Sequence, residues 1–396
     1  MKEKNLYRLT FLACYLAYIV QAVVNNFAPL LFVTFHTTYS IPLDQIALLI
    51  SINFGTQLVM DLVSAWVVDR IGYRCASLIA HFTAAVGIAG LGIFPSVFPT
   101  PFAGLVCASM LYAIGGGVIE VVVSPMVEAC PSPRKAATMS MLHSFYSWGQ
   151  LVAVLLSSLF FAVFGIANWR ILAFIWAALP LLNGIFFFFV PIVEPGADPE
   201  KEKTPIRSLL RTRLFWVFVL LMVCSGAAEL SVCQWASAFL ETTIGLDKAV
   251  GDLAGICLFS VLMGTSRMIY GFFSEKLPLF RFMLVSGLLC VLAYVAVSFS
   301  PSPVVVLIGL ALCGFSVGIM WPGTYSIAAK EIPGGGTAMF ALLALAGDLG
   351  CTSGPSLVGL VANAHGGNLS VGLAVTMAFP TLFCIGMLLL SRHRKS

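Results

Sequence analysis

The sequence has very little charge for its length. Only 10% of its 396 residues are Asp, Glu, Lys or Arg, whereas a soluble domain carries roughly 25%. So few charges could not cover the surface of a soluble body of this size, which excludes that class. The hydrophobic residues, 60% of the chain, come in long blocks such as 76–94 and 371–391. A membrane span needs about 20 such residues, so the sequence predicts a protein that crosses the membrane many times.

The sequence also lacks the motifs of metal, redox and hydrolytic chemistry. Its 11 cysteines form no CxxC or Cys/His cluster and lie mostly inside apolar segments. We therefore interpret them as small packing residues rather than as ligands or disulfides. There is no Ser/His/Asp set and no phosphate-binding loop, so we expect no enzyme activity, no cofactor and no metal. The net charge of +4 does not indicate nucleic-acid binding, because the basic residues border the apolar blocks.

The apolar blocks predict twelve membrane-spanning helices. Lysine and arginine collect on the cytoplasmic side of such helices. With the N-terminus inside, 18 of the 21 lysines and arginines fall on the inner side. This predicts cytoplasmic termini, and the short loops favour a bacterial inner (plasma) membrane. The predicted spans are 9–34, 43–69, 76–94, 102–129, 135–164, 168–193, 213–240, 249–273, 281–299, 303–329, 336–363 and 370–391.

One long polar segment, 194–212, divides the chain. We expect a cytoplasmic linker that ends in a short basic helix on the membrane surface. The predicted domains are an N-terminal six-helix bundle, 1–193, and a C-terminal six-helix bundle, 213–396. An acid–base pair at a tight inner turn follows span 2 and recurs after span 8. The fold class is therefore an all-α membrane protein of two pseudo-symmetric halves, with a site expected near mid-membrane.

Several motifs resemble those of a known family. The turn after span 2 reads DRIGYR, residues 69–74, which is similar to the loop motif of the major facilitator superfamily. Three further segments resemble the fucose–proton symporter branch of this superfamily: GGGVIEVVVSP (115–125), MSMLHSFYSWG (139–149) and the Asn25-Asn26 pair. That branch carries an acidic residue in span 1, and Pro29 stands at or near its position here. The resemblance covers the whole chain. It implies a twelve-helix transporter that moves a sugar-like solute with protons by alternating access.

Glu120 is the residue that we expect to carry the proton. It lies eleven residues before Pro131, and His143 lies twelve after it. Both are thus roughly 16–18 Å from the inner border, near mid-membrane, and we expect them to approach each other. A carboxyl that is neutral when occluded and ionised when wet can carry a proton. His143 would hold the other end of the proton path or bind the solute, and the alternative for Glu120 is a structural bond to a neighbouring helix.

Two polar stripes predict a wet cavity for a solute that forms hydrogen bonds. His143, Tyr146, Ser147 and Gln150 follow an i, i+3, i+4, i+7 pattern, which places them on one helix face. Glu229 and Asp348 are further acids within spans, and a structural hydrogen bond is as good an interpretation for them as substrate binding. The tryptophans could stack on a sugar ring or fill space. The predicted substrate-binding residues are Asn25, Asn26, Ser124, Tyr146, Gln150, Glu229, Trp235, Trp321 and Asp348.

Charged residues toward the inner border predict a gate. Asp61 could instead belong to a sodium site, since carboxylates suit hard cations. We expect Arg267 to brace the turn 271–276. The predicted gating residues are Asp61, Asp69, Arg70, Arg74, Arg267 and Glu275.

The favoured function is proton-coupled uptake of a small polar solute by a monomer in the lipid bilayer. A proton-coupled efflux antiporter of amphipathic compounds and a sodium-coupled symporter are the alternatives. Span 5 lacks the G-x-x-x-G-P-x-x-G pattern of exporters, but a similar pattern, Gly350 to Gly359, occurs in span 11. A third hypothesis is a transporter-like receptor or lipid-handling protein that does not pump; a long signalling tail would favour it, whereas this chain ends in SRHRKS.

Overall fold

The computed structural model of the chain describes residues 7–193, 205–246, 255 and 257–393. The regular structure of these residues is helical throughout, without a strand. The first part of the predicted linker, 194–204, and the first turns of predicted span 8 lie outside the described residues. The second part of the linker contains the expected short basic helix, Ile206–Arg211.

The helices follow the apolar blocks. They are α1 Arg8–Asn26, α2 Phe32–Tyr39, α3 Leu43–Ile71, α4 Tyr73–Val97, α5 Pro101–Ala129, α6 Lys135–Phe164, α7 Trp169–Phe187, α8 Ile206–Arg211, α9 Arg213–Thr242, α10 Leu258–Phe273, α11 Leu279–Phe299, α12 Pro303–Val317, α13 Met320–Glu331, α14 Gly336–Ala364, α15 Leu369–Thr376 and α16 Ala378–His393. Eleven segments of the described chain are long and apolar enough to cross a membrane, and Leu258–Phe273 is a shorter apolar helix.

Local sequence explains several helix ends. Thr100 accepts a hydrogen bond from the Ala103 N–H and Pro101 opens α5, which is a favoured way to begin a helix. Gly72 separates α3 from α4 with a φ of 83°. Glycine adopts this left-handed value without the steric cost that a Cβ brings, so the glycine of the DRIGYR motif is needed for the tight turn.

The chain forms two compact units. Unit 1 comprises the described residues within 1–131, 148–201 and 336–341, and unit 2 comprises those within 132–147, 202–335 and 342–396. In unit 1, α4 packs along α5 and α7, and α5 also packs against α1 and α3. In unit 2, α12 packs against α10 and α11, and α9 packs against α13 and α16. Helices α6 and α14 each contribute residues to both units.

The glycines of α5 allow its neighbours to approach closely. A Cβ atom on Gly115 would lie 2.5 Å from the Ala80 carbonyl oxygen and 2.8 Å from the Ala84 nitrogen of α4. A Cβ on Gly117 would lie 3.0–3.1 Å from Met60 and Gln57 of α3. Small residues favour such contacts in membranes. The glycine run therefore packs α5 against α4 and α3, which also brings Gln57 close to the polar side of α5.

We expect Gly115→Ala to destabilise the protein, because the added methyl group would meet the α4 backbone and not a yielding side chain. Overpacking of this kind costs about 1–3 kcal/mol. Thermal unfolding of the purified chain in one detergent measures the effect. Gly55→Ala is the matched control, since a Cβ on Gly55 has no neighbour within 4 Å. Equal melting temperatures for the two variants would contradict this packing.

Candidate transport site

Glu120 lies in the middle of α5 and is 8% exposed. The Gln21 side-chain amide of α1 donates a hydrogen bond of 2.5 Å to its carboxylate. Gln21 is buried too, and its own carbonyl oxygen has no hydrogen-bond partner among the described residues. Unit 1 therefore holds a buried carboxyl bound by a neutral amide, whose own oxygen accepts no hydrogen bond from the part of the chain that the structure describes.

Other amides and hydroxyls extend this polar group along α1. The Tyr18 and Ser124 hydroxyls are 3.0 Å apart. The Asn25 side-chain oxygen accepts hydrogen bonds from Gln57 at 2.9 Å and from Asn53 at 3.3 Å. The cluster of Tyr18, Gln21, Asn25, Asn53, Gln57, Glu120 and Ser124 is called the unit 1 polar cluster below.

Sequence reasoning missed four members of this cluster. Tyr18, Gln21 and Asn25 follow i, i+3, i+7 on α1, and Asn53 and Gln57 follow i, i+4 on α3. That periodicity places each set on one helix face and could have identified them. Of the two predicted asparagines, Asn25 joins the cluster, whereas the Asn26 side chain donates to the Ala22 carbonyl of its own helix at 2.8 Å. Asp61 is fully buried on α3, one turn beyond Gln57.

Arg267 of α10 is the centre of a second polar group, which lies in unit 2. It is 3% exposed. Its guanidinium donates to the Gly318 carbonyl at 2.7 Å, the His143 carbonyl at 3.0 Å and the Ser147 hydroxyl at 2.8 Å. Most of its donors are therefore matched to fixed acceptors of the protein.

The guanidinium of Arg267 also forms an ion pair with Glu229 of α9, at 3.5 Å. Both side chains are largely buried, with 4% and 14% exposed. The position of Arg267 one helical turn before Gly271 predicts that it braces the turn 271–276. Its guanidinium has partners on α6, on α9 and at the α12–α13 junction, because the long side chain extends among the helices; the brace stays a prediction.

Three aromatic side chains in unit 2, of His143, Tyr325 and Trp321, are joined by ring contacts. The His143 and Tyr325 rings have centroids 5.8 Å apart, and Tyr325 contacts Trp321 edge to face at 6.4 Å. Trp321 is 7% exposed, and its indole nitrogen is buried without a hydrogen-bond partner among the described residues. Buried donors without a partner are uncommon, so this N–H stands out among the polar groups of the described residues.

The remaining predicted binding residues have mixed surroundings. The Trp235 indole N–H donates to the Pro355 carbonyl at 2.9 Å. Asp348 is 7% exposed on α14, and the Thr352 hydroxyl donates to its backbone carbonyl. Tyr146 and Gln150 are half-buried on α6. Glu120 and His143 belong to different units, and their predicted approach stays a prediction.

The DRIGYR turn joins two helix ends within unit 1. The Thr337 hydroxyl, at the start of α14, donates to the Asp69 carboxylate at 2.6 Å, and the Tyr73 hydroxyl also contacts Thr337. A carboxylate is favourable at a helix N-terminus. Arg74 donates to the carbonyls of Phe187, Phe188 and Val190 at 2.6–3.0 Å, so it satisfies the C-terminal end of α7. Arg70 is exposed.

Glu275 forms its ion pair in unit 2, with Arg134 at 3.5 Å. Both side chains are largely exposed, at 75% and 48%. Of the predicted gating residues, Asp69 and Arg74 therefore bind helix ends, Glu275 pairs with Arg134 at the surface, and Arg267 belongs to the buried network.

Comparisons with known proteins agree with this architecture. The family model described as Major Facilitator Superfamily matches residues 10–355. Membrane protein MosC of Rhizobium meliloti is 22% identical over 331 residues, 80% of this chain and 78% of MosC. The E. coli Fucose:proton symporter FucP superimposes with a TM-score of 0.82 at 16% identity, over 96% of this chain and 98% of FucP. The proton:xylose symporter XylE gives 0.79 at 12% identity, over 97% and 95%. The predicted fold class is confirmed.

Proposed function

Because this chain belongs to the Major Facilitator Superfamily, a family of membrane transporters and not of enzymes, we propose that it is a proton-coupled symporter. It takes up a small polar solute, of the sugar class, by alternating access. Glu120 carries the proton. The chain acts as a monomer in the inner (plasma) membrane with both termini in the cytoplasm, and it needs no cofactor.

The hydrogen bond between Gln21 and Glu120 is the observation that carries this proposal. A charge is costly to bury, and 8% exposure leaves the carboxyl little water. A side-chain amide has both donors and an acceptor. Its NH₂ group can donate to the ionised carboxylate, and its oxygen can accept the proton of the neutral acid. Glu120 therefore has a suitable partner in each protonation state, as a proton carrier requires.

The chemistry of the polar groups favours a neutral, hydroxylated solute. The unit 1 polar cluster consists of amides and hydroxyls around one carboxyl, and the buried Gln21 oxygen has no donor among the described residues. Arg267, the buried cation of unit 2, is already bound to Glu229 and to fixed oxygens. It is therefore poorly placed to pair with an anionic solute. The names of FucP and XylE describe symport of fucose and of xylose with protons, which supports the same class.

We assign the other predicted residues by their contacts. Asn25, Ser124, Trp321 and Glu229 lie in or beside the two polar groups and serve solute binding; Tyr146, Gln150, Asn26 and Asp348 stay predictions in that role. His143, whose ring contacts Tyr325, stays a prediction for the proton path or for solute binding. Trp235 has its N–H bonded to the Pro355 carbonyl, so only its ring face could contact a solute, and stacking stays a prediction. Asp61, Asp69, Arg70, Arg74, Arg267 and Glu275 stay predictions for the gate.

The glycine pattern of α14 does not favour the efflux alternative. A Cβ on Gly350 would lie 2.1 Å from the Val223 carbonyl oxygen, and one on Gly354 would lie 2.8 Å from that of Ala227. These glycines are therefore accounted for by close packing of α14 on α9. The sodium-coupled alternative rests on Asp61 and is tested by the same experiment as proton coupling.

The proposal is tested first by ligand screening and then by transport. A ligand that binds the folded state raises its melting temperature, so sugars, amino acids, nucleosides and organic acids are screened by thermal shift on the full chain. We expect a sugar to stabilise it, and liposomes with a low outside pH to accumulate that sugar. Stabilisation only by amphipathic compounds, or accumulation driven only by a sodium gradient, would contradict the proposal.

A further inference from the structure

The six-membered ring of Trp321 lies directly on the backbone of α14 at Gly347. A Cβ atom built on Gly347 would stand 2.1 Å from Cη2 and 2.5 Å from Cζ3 of the indole. Real Cβ atoms essentially never come within 3.0 Å of another heavy atom. A residue with a side chain at position 347 therefore cannot coexist with the indole in its present position.

The backbone of α14 has little freedom to withdraw from the ring. A Cβ on Gly226 of α9 would stand 2.2 Å from the Gly347 carbonyl oxygen, and the close contact continues one turn later at Gly350 and Val223. The two helices already touch backbone to backbone, and cores of this density resist displacement. A methyl group at position 347 would consequently move the indole and leave the helix in place.

The position of the indole determines where its N–H group points. Tyr325 also contacts Trp321, edge to face, with ring centroids 6.4 Å apart and an interplanar angle of 81°. The N–H is buried and has no hydrogen-bond partner among the described residues. Buried tryptophan N–H groups usually find a partner, and an unmatched donor costs about 1–3 kcal/mol. A solute oxygen that accepts this hydrogen bond would remove that cost. The contact between the Trp321 indole and Gly347 therefore serves binding as well as packing.

We propose that Gly347 is a specificity-determining residue, which seats the Trp321 indole so that its N–H donates to a hydroxyl oxygen of the transported sugar. This inference rests on the proposed function and adds the requirement for glycine at this position. The indole ring of Trp321 packs on α14, and its N–H group recognises the sugar by the hydrogen bond. The preferred solute therefore carries an acceptor oxygen at the position that the N–H reaches, and a deoxy analogue lacking it binds more weakly.

A double-mutant cycle tests whether Gly347 acts through the Trp321 indole. Binding of aldopentoses and aldohexoses, including xylose and fucose, is measured by calorimetry on the purified full chain. We expect Gly347→Ala and Trp321→Phe each to weaken the best sugar roughly tenfold, the loss of about one hydrogen bond. Phenylalanine is shorter and lacks the donor, so Gly347→Ala should add little in the Trp321→Phe background. Residues in contact show such non-additivity.

Gly359→Ala is the matched control. It makes the same substitution on the same helix, at a glycine whose Cβ would lie 3.0 Å from Cζ2 of Trp235, a tryptophan whose N–H is already bonded. We expect unchanged affinity. The role of Gly347 is contradicted if Gly347→Ala binds the sugar as tightly as wild type, or if its effect adds fully to that of Trp321→Phe. If Gly347→Ala does not fold, Trp321→Phe alone still tests the hydrogen bond. Wild-type affinity in Trp321→Phe would contradict donation by the Trp321 N–H to the sugar. No sugar binding to wild type would overturn the proposed function itself.

Discussion

Replacement of Glu120 by glutamine is expected to abolish uptake driven by a pH gradient, while exchange of solute across the membrane persists. Glutamine keeps the size and hydrogen-bonding capacity of the neutral acid but cannot release a proton. The Gln21 amide can still bond to it, because two amides pair donor to acceptor. The variant should therefore fold, bind the solute and move it between the two faces without coupling. Accumulation should fall to the level reached without a gradient.

The measurement uses liposomes that contain the purified variant. Uptake of labelled solute with the outside at low pH is compared with counterflow, in which unlabelled solute inside exchanges for labelled solute outside. Glu128→Gln is the matched control, since it removes a carboxylate from the same helix two turns further along. It should retain driven uptake. Driven uptake that survives in Glu120→Gln, or counterflow that disappears with it, would show that Glu120 is not the carrier.

Replacement of Arg267 by methionine is expected to have the largest effect on stability. The guanidinium binds oxygens that belong to α6 and to the α12–α13 junction, and it neutralises Glu229. Methionine fills much of the volume but leaves the carboxylate buried with its cationic partner removed. Breaking a buried ion pair in this way typically costs about 3–5 kcal/mol. We therefore expect little folded protein and a much lower melting temperature.

A second substitution and a surface pair make this prediction specific. Adding Glu229→Gln to Arg267→Met removes the stranded charge and should restore part of the lost stability. The Arg134–Glu275 pair has the same separation of 3.5 Å but is largely exposed, and exposed pairs contribute only about 0–1 kcal/mol. Arg134→Met should thus be nearly neutral. Equal destabilisation by Arg134→Met and Arg267→Met would show that burial of the ion pair is not what matters.

The membrane architecture could be predicted from the sequence because its signal is large and local. Each span needs only a run of apolar residues, and eleven such helices plus a shorter one occur where the runs predict them. Glu120 stood out for the same reason, since an acid in an apolar helix is costly and therefore rare. Its neutral partner Gln21 did not stand out, because amides are common and only the neighbouring helix shows what they face.

The contacts of Arg267 show where sequence reasoning reached its limit. Counting residues from a helix end gives a depth along one axis, but it cannot say which neighbours surround a side chain. Arg267 was expected to serve the turn at its own helix end, whereas its guanidinium binds residues up to 124 positions away in sequence. Likewise, Gly347 looks like any glycine of a small-residue segment. Only the packed structure shows that it lies beneath an indole.

Proton movement during solute entry tests the central claim most directly. Weakly buffered liposomes with equal pH and equal salt on both sides are mixed with the sugar found by screening, and the external pH is recorded. The account predicts that the medium becomes alkaline as sugar enters through the wild-type chain, and stays constant with Glu120→Gln. Sugar entry through the wild-type chain without any alkaline shift would contradict it.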